Sequence, residues 1–172
     1  MEKVLILCDN SVNTNTVNDY LKKDKYKDLN VILSFSVGDI EKQNISSVIY
    51  VGNCQRYNNS LEIGSTVIVN EVFTNTNGED NRILSSFSLN YYLTEASQYL
   101  KKPVSIINVS SNGDLLDEMY NKYSCLAYNK DVYDVFAISL KLNKKVSSML
   151  KVVDNSNVYY DDVIQIVLES LL

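Results

Sequence analysis

Short β-branched apolar runs, alternating with amphipathic stretches, constrain this chain more than any other feature. "KVLILC" (3–8), "NVILSFS" (30–36), "SSVIYVG" (46–52), "STVIVNEVF" (65–73), "VSIINVS" (104–110) and "VSSMLKVV" (146–153) read as strands. Between them, "TVNDYLKK" (16–23) carries Val17, Tyr20 and Leu21 at helical spacing. "SLNYYLTEASQYL" (88–100) is a helix that stops before the single proline, Pro103. "NGDLLDEMYNKY" reads as a turn and short helix, and "SCLAYN" (124–129) suits a short strand. "DVYDVFAISLKLN" (131–143) sets Val132, Val135, Phe136 and Ser139/Leu140 on one face, and "DDVIQIVLESLL" (161–172) is a closing helix with an Asp-rich first turn that suits the helix dipole. "TNTNGEDN" (74–81) is turn-rich and reads as a loop. Strands alternating with helices predict one α/β domain over residues 1–172, three-layered, with a mostly parallel, mixed central sheet flanked by helices.

At 172 residues and 45% hydrophobic, the chain is long enough to bury a substantial core. A net charge of -5 argues against a nucleic-acid partner, which needs a clustered positive surface. The lysine pairs 22–23, 101–102 and 144–145 read as solvated helix ends. No apolar run approaches the ~18 residues of a membrane span, and "MEKVLILCDN" reads as a first strand, not a signal peptide, so a soluble, cytoplasmic protein is expected. Cys8, Cys54 and Cys125 are odd in number and widely spaced, which suits reduced thiols. Histidine is absent, which excludes an imidazole base and any His/Cys metal constellation. Neither metal nor cofactor is expected.

The segment "VIYVGNCQRYNNSLEIGSTVIVNEVF" places a strand, a glycine, a polar stretch and "IGSTVIV" in succession. It resembles the strand–glycine loop–strand segment of the purine nucleoside phosphorylase and methylthioadenosine/S-adenosylhomocysteine nucleosidase superfamily. Val51, Gly52, Asn53 and Cys54, then Ile63, Gly64 and Ser65, then residues 67–69 carry the match. "IINVSSNGDLL" (106–116) is similar to the family's strand ending in S-G-D, "DVYDVFAIS" (131–139) to its E-M-E-x-x-A-x-A helix, and "SSMLKVVDNSN" (147–157) to its R-x-x-S-D strand and loop. These landmarks fall in the family's order across most of residues 46–157.

The resemblance implies cleavage of an N-glycosidic bond. Positive charge builds on the sugar and negative charge on the departing base, so an acid serves the base while a carboxylate and hydrogen bonds serve the sugar. By position, Asp154 matches the leaving-group acid and Asp134 the ribose-binding carboxylate. Gly52, Asn53 and Cys54 match the loop facing sugar or nucleophile, and Asp114 matches the S-G-D acid. Family analogy also implies a homodimer or higher homo-oligomer. Read without the family, Asp154 suits an Asx turn, Asp134 a solvated helix face, Gly52 a strand end and Asp114 a helix cap.

The chain departs from the pattern at several positions. Tyr50 stands where a phosphate-binding arginine precedes the glycine loop, with Arg56 a few residues on. Val132 and Asp134 occupy the paired glutamate slots, and Leu115 and Leu116 replace a base-stacking aromatic. Lys151 precedes Asp154 with one residue fewer than usual between them, and much of the family's length before Gly52 is missing. Phosphorolysis is therefore not expected. Three functions stay open: a nucleoside-binding hydrolase, a catalytically inactive relative acting by binding or assembly, and a flavodoxin-like FMN carrier. The last rests on Ser11, Thr14 and Thr16, hydroxyls after the first strand that suit a phosphate at a helix N-terminus.

Overall fold

A computed structural model describes residues 2–172 apart from Asn10, Ser11, Asn13, Gln43 and residues 155–159. In chain order the elements are β1 (Lys3–Cys8), α1 (Thr14–Leu21), β2 (Val31–Ser34), a 3₁₀ turn (Val37–Glu41), β3 (Ile45–Arg56), β4 (Thr66–Thr76) and β5 (Glu79–Leu84). They continue with α2 (Phe87–Tyr99), β6 (Val104–Ser110), a 3₁₀ turn (Gly113–Leu115), α3 (Leu116–Tyr123), β7 (Cys125–Tyr128), α4 (Val132–Lys141), β8 (Lys145–Val152) and α5 (Asp161–Ser170). The predicted α/β class, with helices flanking a mixed sheet, is what the chain adopts.

The sheet closes on itself. β3 pairs with β8, β8 with β4, β4 with β6, β6 with β7, and β7 returns to β3, while β1 and β2 extend the sheet beside β3 and β5 lies beside β4. The β3–β7, β4–β8 and β4–β5 pairs are antiparallel and the others parallel. An open, doubly wound flavodoxin sheet has no such closing antiparallel pairs, so the topology overturns the FMN-carrier reading. Of its proposed phosphate loop, Ser11 lies outside the described residues.

Alternation along β3 sorts its side chains between two cores, as a two-residue period requires. Val48, Tyr50 and Cys54 join Val69, Phe136 and Leu150 in one cluster, on the side covered by α4. Ile49 and Val51 join Leu93, Met149 and Ile164 in the other, beneath α2 and α5. Burying a side chain such as Phe136 or Leu150 contributes about 1.5–3 kcal/mol.

Two sequence expectations change. Gly52 does not end its strand, because β3 runs on to Arg56 and is held there by β8 as far as Cys54 and by β7 at Gln55 and Arg56. The segment 74–81 is not a loop but the heart of a hairpin, with Thr76 paired to Glu79 across Asn77 and Gly78. Both turn residues have positive φ, 53° and 83°, the combination of a type I′ turn, for which Asn-Gly is the favoured pair. Gly78→Ala is expected to cost about 1 kcal/mol in urea unfolding, because the new side chain meets no neighbour and only the backbone conformation opposes it.

Candidate active-site cleft

The C-terminal end of β1 lies beside the middle of β3, with Cys8 opposite Val51. The chain leaves β1 at Asp9, whose N–H still donates to Val51 O at 3.0 Å. That brings the Asp9 carboxylate over Gly52, where Oδ2 accepts the Asn53 N–H at 3.1 Å. The approach requires glycine: a Cβ on Gly52 would drive into the Asp9 carboxylate and stand 3.1 Å from Tyr50 Oη. Gly52→Ala should push Asp9 off the Asn53 amide and cost about 1–3 kcal/mol, measurable as a lowered Tm.

Asn129 joins the second half of the site to the first. It follows β7, is buried, and donates Nδ2–H to Asn53 O at 2.6 Å. Its Oδ1 accepts the N–H groups of Asp131 and Val132, both at 2.9 Å, so it caps α4 from three residues before the helix begins. Asp131 thereby stands at the helix entrance, on the same opening as the end of β1 and residues 50–55 of β3.

Together these segments surround a cleft of about 470 Å³, lined by Asp9, Tyr50, Asn53, Gln55, Tyr128, Asn129, Lys130 and Asp131, with Phe35 and Val37 on the side of β2. The Tyr128 ring lies flat on Gly113, where an added Cβ would sit 3.1 Å from it. Three aromatic rings, three side-chain amides and two carboxylates therefore line one opening. Lys130 is the cation among the described residues lining it. The Arg56 guanidinium is committed elsewhere, donating to Leu61 O at 2.9 Å, and is not part of the lining.

The thiols offer no nucleophile. Burial, with Asp9 adding repulsion, pushes Cys8 up to about 12, and burial alone pushes Cys54 to about 12. Burial and then Glu71 do the same to Cys125, so all three stay protonated at neutral pH. Burial first, then Asp9, also raises the Tyr50 phenol, which remains a hydrogen-bond donor. Among the described residues no group of three His, Cys, Asp or Glu side chains is placed to hold a metal. No helix among them is long and apolar enough to cross a membrane.

Of the residues singled out from sequence, Gly52 and Asn53 stand at this cleft, Asn53 in its lining and Gly52 beneath Asp9. Cys54 points the other way, into the core with Leu61 and Val152. Asp134 is exposed on α4, one turn beyond Asp131, and Asp114 is exposed in the turn before α3. Asp154 is exposed two residues past β8, next to Val153, whose N–H donates to Cys54 O, and it is not in the lining. Asp9, Asn129 and Asp131 were not singled out. Asp9 carried a usable signal, as an acid directly after the first strand, because α/β folds place ligands at the carboxyl ends of their strands. Asn129 carried another, a capping side chain just ahead of a helical pattern.

By sequence, no family profile and no curated protein matches the chain. By structure, it is similar to the 5'-methylthioadenosine/S-adenosyl homocysteine nucleosidase of Campylobacter jejuni, with a TM-score of 0.73 at 14% identity, over 99% of this chain and 94% of that one. It is similar to the futalosine hydrolase of Helicobacter pylori, with a TM-score of 0.77 at 12% identity, over 99% and 96%. The purine nucleoside phosphorylase of Toxoplasma gondii, solved with immucillin-H, gives a TM-score of 0.78 at 14% identity, over 99% and 90%. The landmarks read from sequence thus follow a real structural likeness: the chain has the fold of the purine nucleoside phosphorylase and methylthioadenosine/S-adenosylhomocysteine nucleosidase superfamily.

Proposed function

We propose that the cleft binds a nucleoside and that the protein hydrolyses its N-glycosidic bond. The observation that supports this reading most is that Asp9, Asp131, Asn53 and Asn129 share one cleft with the Phe35 and Tyr128 rings, in a fold shared with nucleosidases. Flat apolar walls suit a base, while amides and carboxylates suit sugar hydroxyls. Carboxylates also favour the positive charge that develops on the sugar as the C–N bond breaks.

In the proposed reaction a water oxygen bonds to the anomeric carbon as the carbon–nitrogen bond breaks. One water proton passes to a cleft carboxylate, and the base leaves with a proton from an acid on its own side. Asp9 and Asp131 are the carboxylates of the lining, and Asp131 takes the helix-borne role that resemblance assigns to Asp134. Asp154, exposed two residues past β8, keeps its assignment as leaving-group acid on resemblance alone. Phosphorolysis is disfavoured by charge, since two carboxylates and one lysine face the cleft and a phosphate dianion would meet net repulsion.

The test is incubation with purine and pyrimidine nucleosides, including methylthioadenosine, with and without phosphate, measuring released base by chromatography. Phosphate-independent release that is lost in Asp154→Asn or Asp131→Asn supports the hydrolase. Binding of a nucleoside without release favours the second reading, an inactive relative acting by binding or assembly. That reading draws on Asp154 standing outside the lining.

A further inference from the structure

Tyr50 is only 3% exposed and lines the cleft, yet among the described residues its hydroxyl makes no hydrogen bond of good geometry. Leaving a buried hydroxyl so is unfavourable, and native proteins rarely do it without cause. Asn129 spends one of its two Nδ2 hydrogens on Asn53 O and its Oδ1 on the start of α4, so it offers the Tyr50 O–H no free acceptor. An Asn129 N–H directed at the phenol oxygen favours the ionised form, but burial first and then Asp9 outweigh it, so the phenol keeps its proton to donate. The missing side chain at Gly52 leaves the space on which both the Asp9 carboxylate and Tyr50 Oη converge. One wall of that space accepts hydrogen bonds and the other donates them.

We propose that Tyr50 Oη and the Asp9 carboxylate form a subsite over Gly52 that holds one uncharged hydroxyl, either of the nucleoside's sugar or of the attacking water. The inference rests on the nucleoside reading above and sharpens it. A hydroxyl donates to Asp9 and accepts from Tyr50 at once, which neither an anion nor an ammonium group does. The subsite selects for neutral groups, and Tyr50 is a specificity-determining residue of the cleft.

The test pairs Tyr50→Phe with wild type in three measurements: Tm, the Kd for adenosine and its 2′-, 3′- and 5′-deoxy counterparts by calorimetry, and kcat and KM wherever turnover occurs. Removing an unpartnered hydroxyl should leave Tm unchanged or raised, while function falls about tenfold, the worth of one hydrogen bond. If the sugar supplies the hydroxyl, Tyr50→Phe weakens adenosine but leaves one deoxy counterpart unaffected. If water supplies it, every Kd is unchanged and kcat falls at constant KM. Equal Kd and kcat in both proteins overturn the subsite, as does a lowered Tm with all ligands weakened alike, the mark of a merely structural hydroxyl. In a wild type that binds without turnover, equal Kd values alone overturn it. A wild type that binds no nucleoside overturns the parent reading and takes the subsite with it.

Discussion

Asp131→Asn is expected to lower nucleoside cleavage by a factor of about 10²–10⁴, and Asp9→Asn by a similar factor, while both variants keep the wild-type circular dichroism spectrum. Asn matches Asp in shape, so what each variant removes is charge. At Asp131 the backbone N–H stays bonded to Asn129 Oδ1, and the helix entrance is preserved. At Asp9 the side-chain oxygen still accepts the Asn53 N–H. The loss should therefore fall mainly on kcat, because the positive charge these carboxylates oppose appears as the glycosidic bond breaks and is absent from the bound substrate. Asp134 provides the contrast. It is exposed on α4, three positions on, and resemblance alone assigns it the sugar. If Asp134→Asn abolishes cleavage and Asp131→Asn does not, the cleft described here is not where the chemistry occurs.

The architecture was legible because each strand announces itself locally. Runs such as 46–52 and 104–110 concentrate β-branched apolar residues over a strand's length, and the helices between them repeat at helical spacing. Gly52 misled because a glycine in a strand more often marks an ending or a bend. Here it marks a close approach by Asp9, a residue 43 positions earlier, which no local pattern reveals. The Asn77–Gly78 pair was visible as a turn, but its flanks are polar: Thr74, Asn75, Asp80 and Asn81 face one another across the hairpin without the apolar alternation that signals strands. Closure of the sheet was not legible at all. It depends on antiparallel pairing of β8 with β4, and pairing partners are not encoded in either strand's own composition. The cleft shares that obstacle. Resemblance led to Asn53 and its neighbours, but Asp9, Tyr50 and residues 128–131 meet only after three distant segments have been placed.

Lys151→Ala is expected to destabilise the fold by about 2–4 kcal/mol in urea unfolding, the upper range being typical when one member of a buried ion pair is removed. Lys151 is buried on β8, and its Nζ lies 2.6 Å from Asp162 Oδ2 in the first turn of α5 and 3.0 Å from Thr66 Oγ1 on β4. Thr66 donates to the same carboxylate oxygen at 2.7 Å, so three elements are tied at one point. Burial tends to raise the Asp162 carboxyl, but hydrogen bonds from Lys151 and Thr66 and the lysine charge hold it below its ordinary value of 3.8. A carboxylate depressed on folding contributes stability that is present above the unfolded value and lost as pH falls through the folded one. Removing Lys151 leaves burial opposed only by Thr66 and the helix start, so that contribution shrinks or changes sign. The stability gap between wild type and Lys151→Ala should therefore be widest near neutrality and narrow as pH falls below about 4. A gap of the same size at pH 3 and pH 7 would mean that lost packing of the lysine stem, not the unpaired carboxylate, causes the effect. The double variant Lys151→Met, Asp162→Leu separates the two further, because it removes both charges and keeps apolar volume. It should recover most of the loss, and with no carboxylate left to titrate at position 162 its unfolding should lose that acid-side dependence.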